Sequence, residues 1–308
     1  MEKIGLITDE AADLPEEIIE KHRIVLVPVK LFWPEIEKLP GENTFQKMRE
    51  LEKKGIQSFG KTSQPSMKDF LDKYNLQLGI FEKVLCFTLT SKLSGTYNSA
   101  IQAKRFLRPD RQNKVFVIDS LSASGGQALL ILRAIELIES SKKINLLLSP
   151  SLALGRAKEA EEIAKELTEL VSKIHFYIMF EDPKWIEASG RISHLVASLM
   201  RGMAKAGIRP VLSFKNGILA PTGLKTGAKD IPTGLFKQFE SDIKKLKIKD
   251  KKIKVIITHC DDLPGVERLE GMIEKEFKNV EIVFVNILNN VVGAVAGPNT
   301  LTLAWREN

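Results

Sequence analysis

Apolar residues recur through the first half of the chain in short unbroken runs, separated by stretches with helical spacing. Lys3-Ile4-Gly5-Leu6-Ile7-Thr8 reads as a compact buried strand ending at Asp9. Asp13-Leu14-Pro15-Glu16-Glu17 has the makings of a helix start: Asp13 as N-cap, proline where no N–H is needed, and acids in the first turn. Ile24–Phe32 is a second apolar strand, and Phe45–Lys54 and Met67–Tyr74 carry the 3.6-residue repeat of helices. Val84–Thr88 and Val115–Asp119 are further buried strands, each followed by a loop of small residues and a helix. Continuous apolar strands alternating with helices predict a parallel sheet covered on both faces, a three-layer α/β/α domain. Ligands of such sheets collect at the carboxyl ends of the strands, where Asp9, the loop around Ser94 and Asp119-Ser120 all fall.

The pattern then changes. Leu137–Lys173 reads as charged helix, with acid–base pairs at helical spacing over Arg156–Leu170. Phe176–Met179 is short and apolar, and Ser189-Gly190-Arg191-Ile192-Ser193 opens another helix. Asn216-Gly217 between two apolar runs is a strong hairpin signal. Lys254–His259 and Glu281–Asn286 are strands separated by a helix. These features predict a second α/β domain with a mixed sheet, giving domains over 1–160 and 161–308.

Composition narrows the function classes. With 308 residues, 44% apolar and 28% charged, the chain can bury two cores and is not disordered. The +7 charge is mild for this length, and no aromatic-interleaved basic motif marks a nucleic-acid module. The densest basic run, Lys244–Lys254, reads as a solvated helix end and loop, with transient contact to a membrane surface or a partner as the alternative. Cys86 and Cys260 each sit in an apolar strand, which fits a reducing compartment. The start of the chain does not resemble a signal peptide, and the apolar tract Val280–Val295 is interrupted by Glu281, Asn286, Asn289 and Asn290. A cytoplasmic protein is expected.

Two polar segments carry the candidate chemistry: Lys61-Thr62-Ser63-Gln64-Pro65-Ser66 and Ser91-Lys92-Leu93-Ser94-Gly95-Thr96-Tyr97. Each reads as a hydroxyl-bearing loop that opens a helix. Unpaired N–H groups and the positive end of the dipole suit a carboxylate or a phosphate there. Thr62 and Ser94 lead the candidate ligand-binding set, completed by Ser63, Gly95, Thr96, Asp119 and Ser120. Such hydroxyls commonly act as N-caps. The number of hydroxyls in each loop, and the close backbone approach that Gly95 permits, favour a ligand. Asp119-Ser120, followed by Ser122 and Ser124, reads more readily as a cap. No phosphate-cradling or dinucleotide motif follows the first strand. Ser94 as a nucleophile needs a base, yet it lacks a G-x-S-x-G elbow, and none of His22, His175, His194 and His259 is tied to it by spacing. His259-Cys260-Asp261-Asp262 lacks the separated ligand pairs of a zinc site. No metal and no cofactor are expected.

Taken together, several segments resemble the DegV family of bacterial fatty-acid-binding proteins: Thr8-Asp9 with Ala12–Pro15, Thr62–Ser66, Leu93–Tyr97, Val117–Ser120, Gly190-Arg191-Ile192, Arg209–Leu212, and Gly293-Ala294 with Gly297-Pro298. The resemblance spans nearly the whole chain. It implies two α/β domains and a buried long-chain fatty acid, its carboxylate held by the hydroxyls of Thr62 and Ser94. For some relatives it also implies a separate fatty acid kinase catalytic subunit as partner, with this chain as a non-catalytic carrier; Arg191 and Arg201 would then be docking residues. The chain departs from the family pattern at Glu10 (usually serine), at Val295 (usually histidine) and at Asn299 (usually glycine). It also lacks arginine in Lys225–Lys229, and its middle helical region is longer. The alternatives left standing by the residues are a serine-dependent hydrolase or acyl-transfer enzyme using Ser94, and a binder of a phosphorylated small molecule.

Overall fold

The computed structural model describes residues 2–147, 159–226, 228 and 230–308. The first part of the charged helix expected over Arg156–Leu170, Arg156–Lys158, lies outside them, as do Gly227 and Lys229. In chain order the strands are β1 (Glu2–Asp9), β2 (Val25–Val27), β3 (Lys30–Phe32), β4 (Lys61–Ser63), β5 (Phe81–Thr88) and β6 (Val115–Asp119). They continue with β7 (His175–Met179), β8 (Ile208–Lys215), β9 (Ile218–Thr226), β10 (Ile253–His259), β11 (Val280–Ile287) and β12 (Leu301–Glu307).

The chain divides into two compact units, one of Met1–Pro28 with Gln64–Ile174 and one of Val29–Ser63 with His175–Asn308. This differs from a single cut near residue 160, because Val29–Ser63 belongs with the later residues. The Ile24–Phe32 run is accordingly two strands. Pro28 has no N–H to continue a ladder, so β2 ends at Val27 in one sheet and β3 begins at Lys30 in another.

In the first unit the sheet order is β2-β1-β5-β6, with every pairing parallel. Ile7, Val84 and Cys86 pack with Phe70 and Tyr74 of the Met67–Leu78 helix and Ala100 and Ala103 of the Thr96–Arg105 helix. The two alanines let that helix come close, and the Tyr74 hydroxyl donates to the Ala100 carbonyl at 3.1 Å. Burial of a side chain such as Phe70 is worth roughly 1.5–3 kcal/mol. Helices Gly125–Leu147 and Ala160–Leu170 also pack on this sheet and bury Leu129, Leu130, Ile163 and Leu167. A parallel sheet has no solvated face, which explains the unbroken apolar strands. Asp13 is not an N-cap: it closes the short Glu10–Ala12 turn in a left-handed conformation (φ 49°), and the next helix, Glu16–Lys21, starts after Pro15 without a side-chain cap.

The second unit contains a mixed sheet of order β11-β10-β12-β7-β8-β9, parallel between β10 and β11 and antiparallel elsewhere. Asn216 and Gly217 both have positive φ, 50° and 81°, as the expected two-residue hairpin between β8 and β9 requires. Leu235, Phe239 and Ile243 of the Ile231–Leu246 helix, and Val266, Leu269 and Ile273 of the Leu263–Glu276 helix, cover Val255, Ile257, Leu303 and Trp305. The Thr44–Lys53 helix packs Phe45 against Gly293, where a Cβ would collide with the ring. From the last turn of the Ile231–Leu246 helix onward the basic run is a solvated end with buried anchors: Ile248 and Ile253 are buried, while Lys244 pairs with Glu240 and Lys251 with Glu307.

Candidate functional site

The carboxyl ends of β1, β5 and β6 converge as the strand pattern requires. Thr96–Arg105 starts at Gly95, which makes no side-chain cap. Ser94 lies just before it, and its hydroxyl is 2.8 Å from that of buried Thr96 and accepts the Thr96 N–H at 3.3 Å. Gly95 is required here by a neighbouring side chain: a Cβ would collide with the amide of Gln64, which donates to the Ser99 hydroxyl at 3.2 Å. Close approach is real, and the group that approaches is Gln64.

Asp119 and Ser120 do not cap the following helix. Asp119 accepts the N–H groups of Ser91 and Leu121 at 3.1 and 3.0 Å. Ser120 donates to the Ser122 carbonyl at 2.9 Å and accepts the Ser122 N–H at 3.1 Å. Both tie down the turn after β6. Asp9 is fully buried and accepts from Ala11, Leu89 and the Gln127 side chain. Burial is the main reason its carboxyl rises from 3.8 to about 7, with Asp13 adding to the rise and the three hydrogen bonds opposing it. The sequence offers one signal for Gln127, an amide directly ahead of the apolar run Ala128–Ile131.

In the second unit, Thr62 and Ser63 do not lie on a loop opening a helix. Lys61–Ser63 is β4, paired antiparallel with β3 so that Leu31 faces Thr62. Alternation leaves Lys61 and Ser63 exposed and Thr62 half-buried. The helix cap downstream is Ser66, in a reciprocal capping box with Asp69. Thr62 accepts a hydrogen bond at 3.0 Å from Arg191, in the turn after Gly190. The half-buried Arg191 has its guanidinium pKa lowered by desolvation. No carboxylate among the described residues pairs with it. Arg201 by contrast binds Glu187 at 2.6 Å, a carboxylate shared with His194, and so ties the His194–Lys205 helix to Lys184–Ala188.

Asn299 holds a left-handed position (φ 57°), a conformation asparagine tolerates better than most residues. Its side chain accepts from Arg49 and donates to Glu181, each at 2.6 Å, and Arg49 also binds Asp261 at 2.6 Å. Arg49 was not singled out by sequence, because nothing local links it to residues two hundred positions away. Val295 is half-buried and brings no polar group.

Among the described residues the Ser94 hydroxyl meets Thr96 and no base. Among the histidines, His22 faces Glu139, His175 stacks on Trp305, His194 meets Glu187, and His259 accepts the Asp262 N–H. In His259–Asp262 every side chain is engaged by the fold or buried, and no cluster with metal-ligand character occurs among the described residues. Both cysteines are buried and neither is in a disulfide, and burial pushes the Cys86 thiol up to about 12. No helix among the described residues is long and apolar enough to cross a membrane.

Fold and site define a two-unit α/β protein with hydroxyls and a desolvated guanidinium as its candidate ligand groups. The family profile described as uncharacterised protein, DegV family, matches residues 3–150 and 151–308, and the chain belongs to that family. It is 29% identical to a protein of Thermotoga maritima named fatty acid-binding protein, over 97% of this chain and 96% of the relative. Its fold matches that of a DegV family protein from Thermus thermophilus whose structure is described as showing fatty acid binding: TM-score 0.77, 22% identity, 99% of this chain and 100% of that one. It also matches a stearic acid-binding protein from Eubacterium ventriosum, with TM-score 0.76 and 22% identity over 100% of this chain and 98% of that one.

Proposed function

We propose that this chain binds a long-chain fatty acid non-covalently, with Thr62 and Ser94 as hydroxyl donors to its carboxylate, and carries it to a separate fatty acid kinase. The observation that carries the reading is Arg191: a half-buried guanidinium without a carboxylate partner among the described residues, bonded to the Thr62 hydroxyl. A desolvated cation is costly unless an anion meets it, and an acid head group supplies that anion. The full-length similarity to a protein named fatty acid-binding protein supports the same ligand class. Burying a chain of about sixteen carbons at about 0.8 kcal/mol per CH₂ provides on the order of 10 kcal/mol before ordering costs, so the tail drives affinity and the head sets orientation.

Freshly purified protein, denatured and extracted with organic solvent, is expected to release about one free fatty acid per chain by mass spectrometry. Recovery of no acyl species, or of a phosphorus-containing ligand, overturns the reading. The carrier role rests on the family resemblance, with Val295 and Asn299 standing where relatives have histidine and glycine. Its check is acyl phosphate formation from ATP when the chain is combined with a fatty acid kinase subunit. Failure to form any product leaves a binding protein without that partner.

A further inference from the structure

We infer that Asp9 and Asp119 are positioning residues that clamp the backbone of the loop carrying Ser94, and that Asp9 makes the clamp sensitive to pH. Strand β5 lies between β1 and β6, so the chain leaving it passes between the ends of both neighbours. Each of those strands ends in an aspartate. Asp9 Oδ2 accepts the Leu89 N–H at 2.8 Å, and Asp119 Oδ1 accepts the Ser91 N–H at 3.1 Å. Between them the Thr90 N–H donates to the Ser122 carbonyl at 2.8 Å. Three consecutive amides are thus anchored, two to the flanking strand ends and one to the turn after β6, directly before the residues that present Ser94 and Thr96. A polar site works best when its groups are held in place before the ligand arrives, and loops with few anchors do not provide that.

The two aspartates differ in burial. Asp119 is half-buried, whereas Asp9 is fully enclosed. Among the described residues, Oδ1 of Asp9 takes two donors, the Ala11 N–H at 3.0 Å and the Gln127 amide at 3.2 Å, while Oδ2 takes Leu89 alone. A proton therefore goes to Oδ2 and displaces the Leu89 N–H. The titratable groups facing Asp9 are Asp13, which disfavours its charge, and the Cys86 thiol on β5, which stays neutral; Gln127 on the helix beyond is uncharged. With the carboxyl titrating near 7, acidification loosens the Leu89 end of the clamp and leaves the Asp119 end in place. The consequence for ligand uptake rests on the proposed head-group role of Ser94.

Hydrogen–deuterium exchange of the full chain, corrected for intrinsic rates, tests the clamp about one pH unit on either side of 7. In the wild type, peptides spanning residues 89–96 are expected to exchange about fivefold faster on the acid side, the change that loss of one net hydrogen bond gives. Asp9→Asn should exchange fast at both pH values, and Asp119→Asn should be faster than wild type at both while keeping the pH dependence. Oleate dissociation should follow the same three patterns. Exchange in the wild type that ignores pH overturns the inference, as does an Asp9→Asn loop no faster than wild type at the higher pH. If Asp9→Asn does not fold, the wild-type pH series and Asp119→Asn decide. A wild type that binds no oleate at any pH sinks the fatty acid reading, while exchange still judges the clamp.

Discussion

Ser94 and Thr62 sit in segments of similar composition, yet their surroundings are electrically opposite. The Ser94 loop ends its backbone amides on two carboxylates, Asp9 and Asp119. Thr62 lies on a two-stranded ribbon beside a guanidinium that no described carboxylate balances. In the first unit negative charge is used up in ordering the backbone, and the hydroxyls are neutral. In the second, positive charge is left available next to a hydroxyl. Residue type alone does not distinguish these cases; the hydrogen-bond partners do. On the proposed reading, attraction for an acid resides mainly in Arg191, and orientation resides in the hydroxyls.

The contrast can be broken most directly at Arg191. Arg191→Ala should weaken oleate binding about 10- to 150-fold by titration calorimetry, the loss expected for a hydrogen bond to a charged group, with little change in thermal stability. Unchanged affinity would remove the electrical asymmetry. In the first unit, Gly95→Ala should destabilise the fold by about 1–3 kcal/mol in urea, because the new methyl meets the Gln64 amide. Gln64→Ala should recover much of that loss in the double variant, and full additivity would show that the two residues do not touch.

A third test follows the charge on Asp9. Its carboxyl titrates at 3.8 when unhindered and at about 7 in the fold. Between those values the folded chain holds a proton that the unfolded chain has released. Stability should therefore fall as pH rises through this window, by at most about 1.4 kcal/mol per pH unit, and level off above it. Asp9→Asn should flatten that slope in urea unfolding curves; an unaltered slope places the titrating group elsewhere. The smallest effect is expected from Thr62→Val, which keeps shape and removes one neutral hydroxyl. A two- to tenfold loss in oleate affinity corresponds to about 0.5–1.5 kcal/mol. A loss larger than that of Arg191→Ala would reverse the assignment of attraction and orientation.

Much of the architecture was legible from short-range pattern. The runs at Ile4–Ile7, Val84–Phe87 and Val115–Ile118 became adjacent parallel strands, and Asn216-Gly217 became the hairpin turn. Thr62 was legible as a residue of interest and misread in context, since its segment pairs with β3 and the helix cap is Ser66. Gly95 was read as letting the backbone approach a ligand, and in the fold the side chain that comes close is that of Gln64. Arg191 stood out only through the family resemblance, and as a docking residue. Its bond to Thr62 spans 129 positions, beyond anything local spacing reports.

Apolar periodicity, proline and glycine act over a few residues, so most of the strands and helices, the two sheet types and the hydroxyl-rich segments could be read along the chain itself. Burial and pairing are properties of three dimensions. Only the folded chain decided that Val29–Ser63 joins the later unit, that Asp9 is enclosed and holds Leu89, and that Arg191 meets Thr62 with no carboxylate among the described residues to neutralise it. The cost of a charge is set by the groups around it in space, and the sequence does not record which groups those will be.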